Sequence, residues 1–263
     1  MKSRILVAVV GVPILLYVVL WAPAEIMEVG LALLSAVAGY ELMKCMGAGG
    51  AWRRAAAAAA AVYVLAVSVA EEDVEALVVG YVIAFFLCAI IKAGEIPVQL
   101  VLGALFAAIA IPYAFTAFLR IHAAGHRGYL LLPFIFSFAS DPCAFFAGHA
   151  FGKHKLAPKV SPNKTVEGSI GGLVGNAVCG VLFAYVMNTW FGQDLDYAAI
   201  VLLGLVCSVI AQIGDLSFSY IKREFGIKDY GHIFLAHGGV LDRFDSVLFV
   251  APVMALVMPY LVG

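Results

Sequence analysis

Charge is scarce in this sequence. Lys, Arg, Asp and Glu make up 13% of its 263 residues, 64% are hydrophobic, and the mean hydropathy is +1.02. A soluble domain of this length cannot enclose so much apolar surface. That excludes a soluble protein and makes bilayer thickness, rather than core volume, the quantity that sets element lengths. Cysteine is sparse as well. Cys45, Cys88, Cys143, Cys179 and Cys207 are odd in number, scattered, and form no Cys-x-x-Cys pair, so neither a disulfide framework nor a zinc site is indicated. There is no tandem repeat and no long linker. There is no Walker loop either: Gly148-His149-Ala150-Phe151-Gly152-Lys153 has its glycines one residue too close, and no Ser or Thr follows the lysine. The formal net charge of −1 carries no information about a nucleic-acid partner, and none is expected.

What is abundant is apolar sequence in membrane-length runs. Nine segments can be drawn, at roughly 4–22, 25–46, 54–70, 74–92, 97–119, 128–147, 168–191, 198–221 and 243–262. The expected fold class is therefore all-α, a polytopic integral membrane protein of about nine transmembrane helices. It is expected to form a single transmembrane domain, with N-terminal helices over 1–127 and functional helices and loops over 128–263. Lys2 and Arg4, the following apolar run and Ala22-Pro23-Ala24 imitate a cleavable signal. The run is longer than a typical signal core, so an uncleaved first helix, kinked near Pro13, is expected. With the N-terminus in the cytoplasm, all but Arg120 and Arg127 of the 16 lysines and arginines fall on the cytoplasmic side. Glu28 and Glu41, in or near the second segment, read as boundary or structural acids. Glu71, Glu72, Asp73 and Glu75 read as a solvated turn.

The stretch Ser219–Asp245 interrupts the apolar pattern. Lys222, Arg223, Lys228 and Arg243 supply cations, and Asp229, Asp242 and Asp245 supply carboxylates. Gly231, Gly238 and Gly239 permit close approach of backbone to a ligand. Cations with flexible backbone amides suit a polyphosphate, and carboxylates suit the Mg²⁺ that accompanies it. Upstream, Ser161-Pro162-Asn163-Lys164-Thr165-Val166-Glu167-Gly168 reads as a turn into a helix N-terminus, another place for phosphate. Gly168, Gly172, Asn176 and Gly180 recur every four residues and read as a close-packing stripe. Ser208, Gln212, Asp215, Ser219 and Lys222 form one polar stripe on the eighth segment. Asp215, at that depth, requires a partner, a proton or a metal. Carboxylates from two or three helices, Asp215 and Asp242 with Asp245 and Asp141, offer ligands for Mg²⁺. From residues alone, the chemistry stops at a metal-dependent phosphoryl or nucleotidyl transferase acting on a lipid headgroup.

The order Ser219-x-Ile221-Lys222-Arg223, then Lys228-Asp229, then His237-Gly238-Gly239-x-x-Asp242-Arg243-Phe244-Asp245 resembles the signature of the phosphatidate cytidylyltransferases, or CDP-diacylglycerol synthases. Asp141–Gly168 resembles that family's second characteristic block. The likeness runs from Asp141 to the end and is weak in the first half. Leu235-Ala236 stands where Pro-Gly is usual, and Asn163 is a further departure. The resemblance implies CTP and phosphatidic acid as substrates, with CDP-diacylglycerol and pyrophosphate as products. Catalytic roles would fall to Asp215, Asp242, Lys222, Arg223, Arg243 and Asp245. Substrate contacts would fall to Ser161, Lys164, Thr165, Glu167, Lys228, Asp229, His237, Gly238 and Gly239. Mg²⁺, with room for a second cation, would sit on Asp215, Asp242 and Asp141. It further implies a multi-pass protein of the cell membrane, in bacteria the inner membrane, with its active site facing the cytoplasm. A homodimer is left open.

Two other readings compete. One is a different CTP-using membrane lipid enzyme, either a polyprenol-type lipid kinase or a cytidylyltransferase for another lipid phosphate. The other is an ion-coupled transporter with Asp141 and Asp215 on its path. Against the transporter, the polar residues crowd one membrane face and no inverted repeat is visible.

Overall fold

A computed structural model describes residues 2–69, 74–92, 94–231, 233 and 238–261. His237, Leu235-Ala236 and Glu71, Glu72 and Asp73 lie outside the described residues. Among the described residues the fold is all-α apart from one hairpin. Seven helices among the described residues are long and apolar enough to cross a membrane, and Gly11–Leu20 and Val247–Leu261 are shorter apolar helices. The molecule is a polytopic membrane protein. It folds as two compact units, Met1–Leu119 with Glu224–Arg243, and Arg120–Arg223 with Phe244–Gly263.

The first unit contains α1 (Lys2–Leu20), α2 (Ala24–Cys45), α3 (Gly50–Val69), α4 (Val74–Ile91), α5 (Val98–Leu105) and the first part of α6 (Ile111–Ala124). Pro13 lies inside α1. Between α5 and α6 the chain widens into one π turn, Phe106–Ala110. Pro112 explains it: a proline one residue into α6 has no N–H for the preceding turn, and the wider turn absorbs the missing bond. Packing here rests on small residues. Ala56 and Ala60, one turn apart in the alanine run of α3, are fully buried, as are Ala107 and Ala108 of the π turn. A Cβ placed on Gly39 would stand 3.5 Å from the Ala107 oxygen and 3.6 Å from the Ala56 oxygen, so three backbones meet at that glycine. The low-complexity alanine run is thus a contact face.

The second unit contains a 3₁₀ turn (Arg127–Leu131), α7 (Leu132–Phe151), β1 (Lys155–Ala157), β2 (Ser161–Thr165), α8 (Val166–Phe191), α9 (Tyr197–Glu224) up to Arg223, and α11 (Val247–Leu261). A short α10 (Leu241–Phe244) spans the border of the two units. The glycine stripe of α8 packs as expected. A Cβ on Gly171 would strike Ala147, on Gly175 Cys143, and on Gly172 Ser140, all on α7. Buried Asn176 adds an interhelical bond, donating from Nδ2 to the Phe136 oxygen at 2.7 Å. Such bonds contribute about 0.6 kcal/mol each in lipid, so close packing carries most of the adhesion.

Two features depart from the sequence reading. Lys155–Thr165 is an antiparallel hairpin, with Lys155 opposite Thr165 and Ala157 opposite Ser161, where a plain turn was expected. The last segment is broken rather than continuous: α10 stops at Phe244 and α11 resumes at Val247. At the break, Asp245 Oδ1 accepts the Ser246 N–H at 2.7 Å, a local side-chain bond that competes with helix propagation.

Candidate active site

In the second unit, the last turns of α7, the hairpin, the first turn of α8 and the polar stripe of α9 enclose a cleft of about 580 Å³. Its charged and polar walls include Asp141 and His149 from α7, Lys155, Ser161, Asn163, Lys164 and Thr165 from the hairpin, Ser169 from α8, and Gln212 and Asp215 from α9. Gly148, Gly152 and Gly168 let the walls close at one end. A Cβ on Gly148 would come within 2.7 Å of Thr165 Oγ1, and one on Gly168 within 2.7 Å of the Ala144 oxygen.

The stripe on α9 meets partners rung by rung. Ser208 Oγ lies 3.3 Å from Ser140 Oγ of α7. Gln212 bonds Ser169 of α8 through Oε1, and its Nε2 donates to the Ser208 hydroxyl at 3.4 Å. Asp215 Oδ2 pairs with Lys164 Nζ on β2, and its Oδ1 accepts from Ser219 Oγ at 3.5 Å. Lys222, 9% exposed, attracts Asp245 electrostatically, while Asp215 and Asp141 both repel it. Lys164, Lys222, Asp141, Asp215 and Asp245 therefore share one electrostatic neighbourhood in this unit.

The Lys164–Asp215 pair decides how the cleft can be used. Its side chains remain 27% and 21% exposed, so solvent screening leaves it worth no more than about 1 kcal/mol. An arriving anion can take the ammonium, and an arriving cation the carboxylate, at little cost.

The amides at the start of α8 have partners within the chain. Thr165 Oγ1 caps it, accepting the Gly168 N–H at 3.1 Å. The Val166 N–H goes to the His154 oxygen, and the Glu167 carboxylate takes its own N–H. Those amides are engaged, so the cations that face the cleft are the side chains of Lys155 and Lys164. Glu167 also accepts from the Lys153 N–H at 3.0 Å, the His154 N–H at 3.2 Å and His154 Nδ1 at 2.7 Å, tying the α7–β1 connection to α8. Arg223 Nε donates to the Val160 oxygen at 3.4 Å and steadies the hairpin turn from the end of α9.

The first unit holds the other expected residues on the segment Glu224–Arg243. Asp242 Oδ2 accepts the N–H of Tyr230 at 2.8 Å and that of Gly239 at 2.9 Å, closing the loop on itself. Gly238 has φ +84° and sits against this carboxylate, a conformation that favours glycine. Lys228, Asp229 and Arg243 are exposed. Within the same unit, Glu41 of α2 accepts the N–H groups of Val240 and Leu241.

A family model described as the cytidylyltransferase family matches residues 2–261. The chain belongs to this family. Among curated relatives, the phosphatidate cytidylyltransferase of Staphylococcus haemolyticus is 38% identical over 159 residues, covering 60% of this chain and 60% of the relative. That of Staphylococcus saprophyticus is 36% identical over 159 residues, with the same coverage of each. That of Staphylococcus aureus is 38% identical over 165 residues, again 60% of each. The chain thus spans about 60% of the length of the curated relatives it matches.

As a cytidylyltransferase-family chain, its sequence points to the cleft through Asp141, Ser161, Lys164, Thr165 and Asp215, and these do converge. Lys155 and His149 line the same space without having been singled out. Lys155 is one of several lysines in a polar loop, and only strand pairing with β2 distinguishes it from its neighbours. Among the described residues, no group of three or more His, Cys, Asp or Glu side chains is arranged to hold a metal ion. Asp141 and Asp215 are nevertheless two carboxylates on one open cleft. That donor set fits Mg²⁺, which usually takes one or two carboxylates and completes its shell with water and substrate phosphate.

Proposed function

We propose that this family member transfers the cytidylyl group of CTP to phosphatidic acid, forming CDP-diacylglycerol and pyrophosphate. The observation that carries the reading is the exchangeable Lys164–Asp215 pair, in a cleft also lined by Asp141 and Ser161. The phosphatidate oxygen attacks the α-phosphorus of CTP. A phosphorus–oxygen bond forms there as the bridge to the β-phosphorus breaks, and pyrophosphate carries away the released electron pair. A phosphate monoester is largely dianionic near neutral pH, so it needs no strong general base. Asp141 and Asp215 would hold Mg²⁺, and Asp242 a further cation, which would neutralise charge on the phosphate oxygens. Lys164 and Lys155 present ammonium groups to the triphosphate, and the Lys222 charge offsets that of Asp245. The Ser161 and Thr165 side chains line the wall where the triphosphate rests.

The deciding assay uses purified protein, labelled CTP and defined lipids. CDP-lipid from phosphatidic acid supports the reading. A phosphorylated alcohol in its place identifies a lipid kinase, and ion flux without CTP identifies a transporter. Lys164→Ala and Lys228→Ala are each expected to lower kcat/KM for CTP about tenfold or more, since each removes a charge-assisted phosphate contact. Arg243→Lys is expected to be damaging as well, because an ammonium cannot grip an anion in the two-point manner of guanidinium. Unaltered kinetics in all three variants would leave a merely solvated loop.

We further propose that the cleft opens to the cytoplasm, on the strength of the basic-residue asymmetry. A reporter inserted near Lys159 is then expected to be cytoplasmic, and one fused after Gly263 non-cytoplasmic. Both reporters on one side would refute the nine-span arrangement.

A further inference from the structure

Glu41 is an acid inside a membrane-length helix, 3% exposed, and it has no place in the cleft. Its Oε1 accepts the Val240 N–H at 3.1 Å and its Oε2 the Leu241 N–H at 3.0 Å. These amides lie one residue before and at the start of α10, where N–H groups have no partner within the helix. Each carboxylate oxygen thus serves one amide, a division of labour that neither a hydroxyl nor a carboxamide reproduces. Gly231 and Gly239 complete the seat. A Cβ on either would collide with the Glu41 carboxylate, so the backbone at both glycines is pressed against this one side chain.

From this geometry we infer that Glu41 is a positioning residue for the loop Gly238–Arg243, fixing the backbone that carries Asp242 and Arg243. The inference rests on the proposed cytidylyl transfer. It assigns a task to the N-terminal helices, which carry none of the signature residues singled out in the sequence: α2 supplies the anchor for a loop some 200 residues away in sequence. An anchored loop meets its ligand in one conformation, and a freed loop must be ordered on every turnover.

The test compares the wild-type protein with Glu41→Gln and, from the loop side, Gly239→Ala. Glutamine keeps the size of the side chain but turns an NH₂ group toward one of the two amides, and the added alanine methyl displaces the same carboxylate. Amide hydrogen exchange at Val240 and Leu241 is expected to accelerate at least about tenfold in both variants, as expected when a local opening equilibrium is relaxed. CDP-lipid formation is expected to fall about 10- to 100-fold. The double variant should be little worse than either single one, because both break the same contact. Melting temperature in detergent should move by a few degrees at most, which separates positioning from general loss of fold. Unchanged exchange at the two amides in Glu41→Gln overturns the anchor. Faster exchange with wild-type turnover overturns the positioning role. If the wild-type protein makes no CDP-lipid while Glu41→Gln shows the faster exchange, the proposed reaction is overturned and with it the catalytic purpose of the anchor, while the anchor itself stands.

Discussion

Asp215→Asn is expected to lower CDP-lipid formation by at least about 100-fold, equivalent to roughly 2.7 kcal/mol of transition-state stabilisation. Asparagine keeps the size and one acceptor oxygen but removes the charge that a hard cation requires. It also leaves Lys164 without its carboxylate partner. Because that pair is partly exposed to solvent, the loss of the pair alone explains no more than about 1 kcal/mol. Anything larger belongs to the reaction. Expression and detergent stability should change little, since neutralising an acid does not hinder membrane insertion. A double-mutant cycle with Lys164→Ala separates the contributions: two groups acting on one bound triphosphate should show losses smaller together than the sum of each alone. Excess Mg²⁺ should restore part of the activity if the variant merely weakens metal binding. Near wild-type turnover at ordinary Mg²⁺ would remove Asp215 from the site.

The helices were largely legible because lipid imposes a simple rule: every backbone polar group must be satisfied within the segment. A membrane-length apolar run therefore has one reading, and the long helices fall close to where hydropathy places them. The glycine stripe of α8 was legible for the same kind of reason, since small residues at four-residue spacing form one face. The hairpin was not. Its strands are Lys-Leu-Ala and Ser-Pro-Asn-Lys-Thr, too short and too polar for strand periodicity, and they are defined by pairing with each other. The cleft was half legible. Asp215 announced itself as a charge in an apolar helix, but its partner Lys164 lies 51 residues away, and no local pattern links the two. Glu41 was visible as an acid near the end of α2, yet its partners are backbone amides 199 and 200 residues distant. Backbone groups are identical at every position, so sequence cannot name them as partners.

Asp242 poses the sharper question, because its carboxylate has two possible tasks. It closes the loop by accepting the Tyr230 and Gly239 amides on Oδ2, and it carries a negative charge. Asn and Ala separate the two. The carboxamide oxygen of asparagine can still accept both N–H groups, so Asp242→Asn keeps the loop closed and removes only the charge. Alanine removes both. Asp242→Asn is expected to lower CDP-lipid formation by at least about 100-fold, again roughly 2.7 kcal/mol, while the Tyr230 and Gly239 amides keep their protection from hydrogen exchange. Asp242→Ala should lose activity and protection together, since buried N–H groups left without an acceptor cost about 1–3 kcal/mol each. Asp229→Asn, on an exposed part of the same loop, should cost less than either. If Asp242→Asn turns over normally with its amides protected, the loop needs the acceptor and the reaction does not need the charge. Asp242 then belongs with Glu41 among the groups that shape the loop, and cation binding in this family member falls to the carboxylates of the cleft.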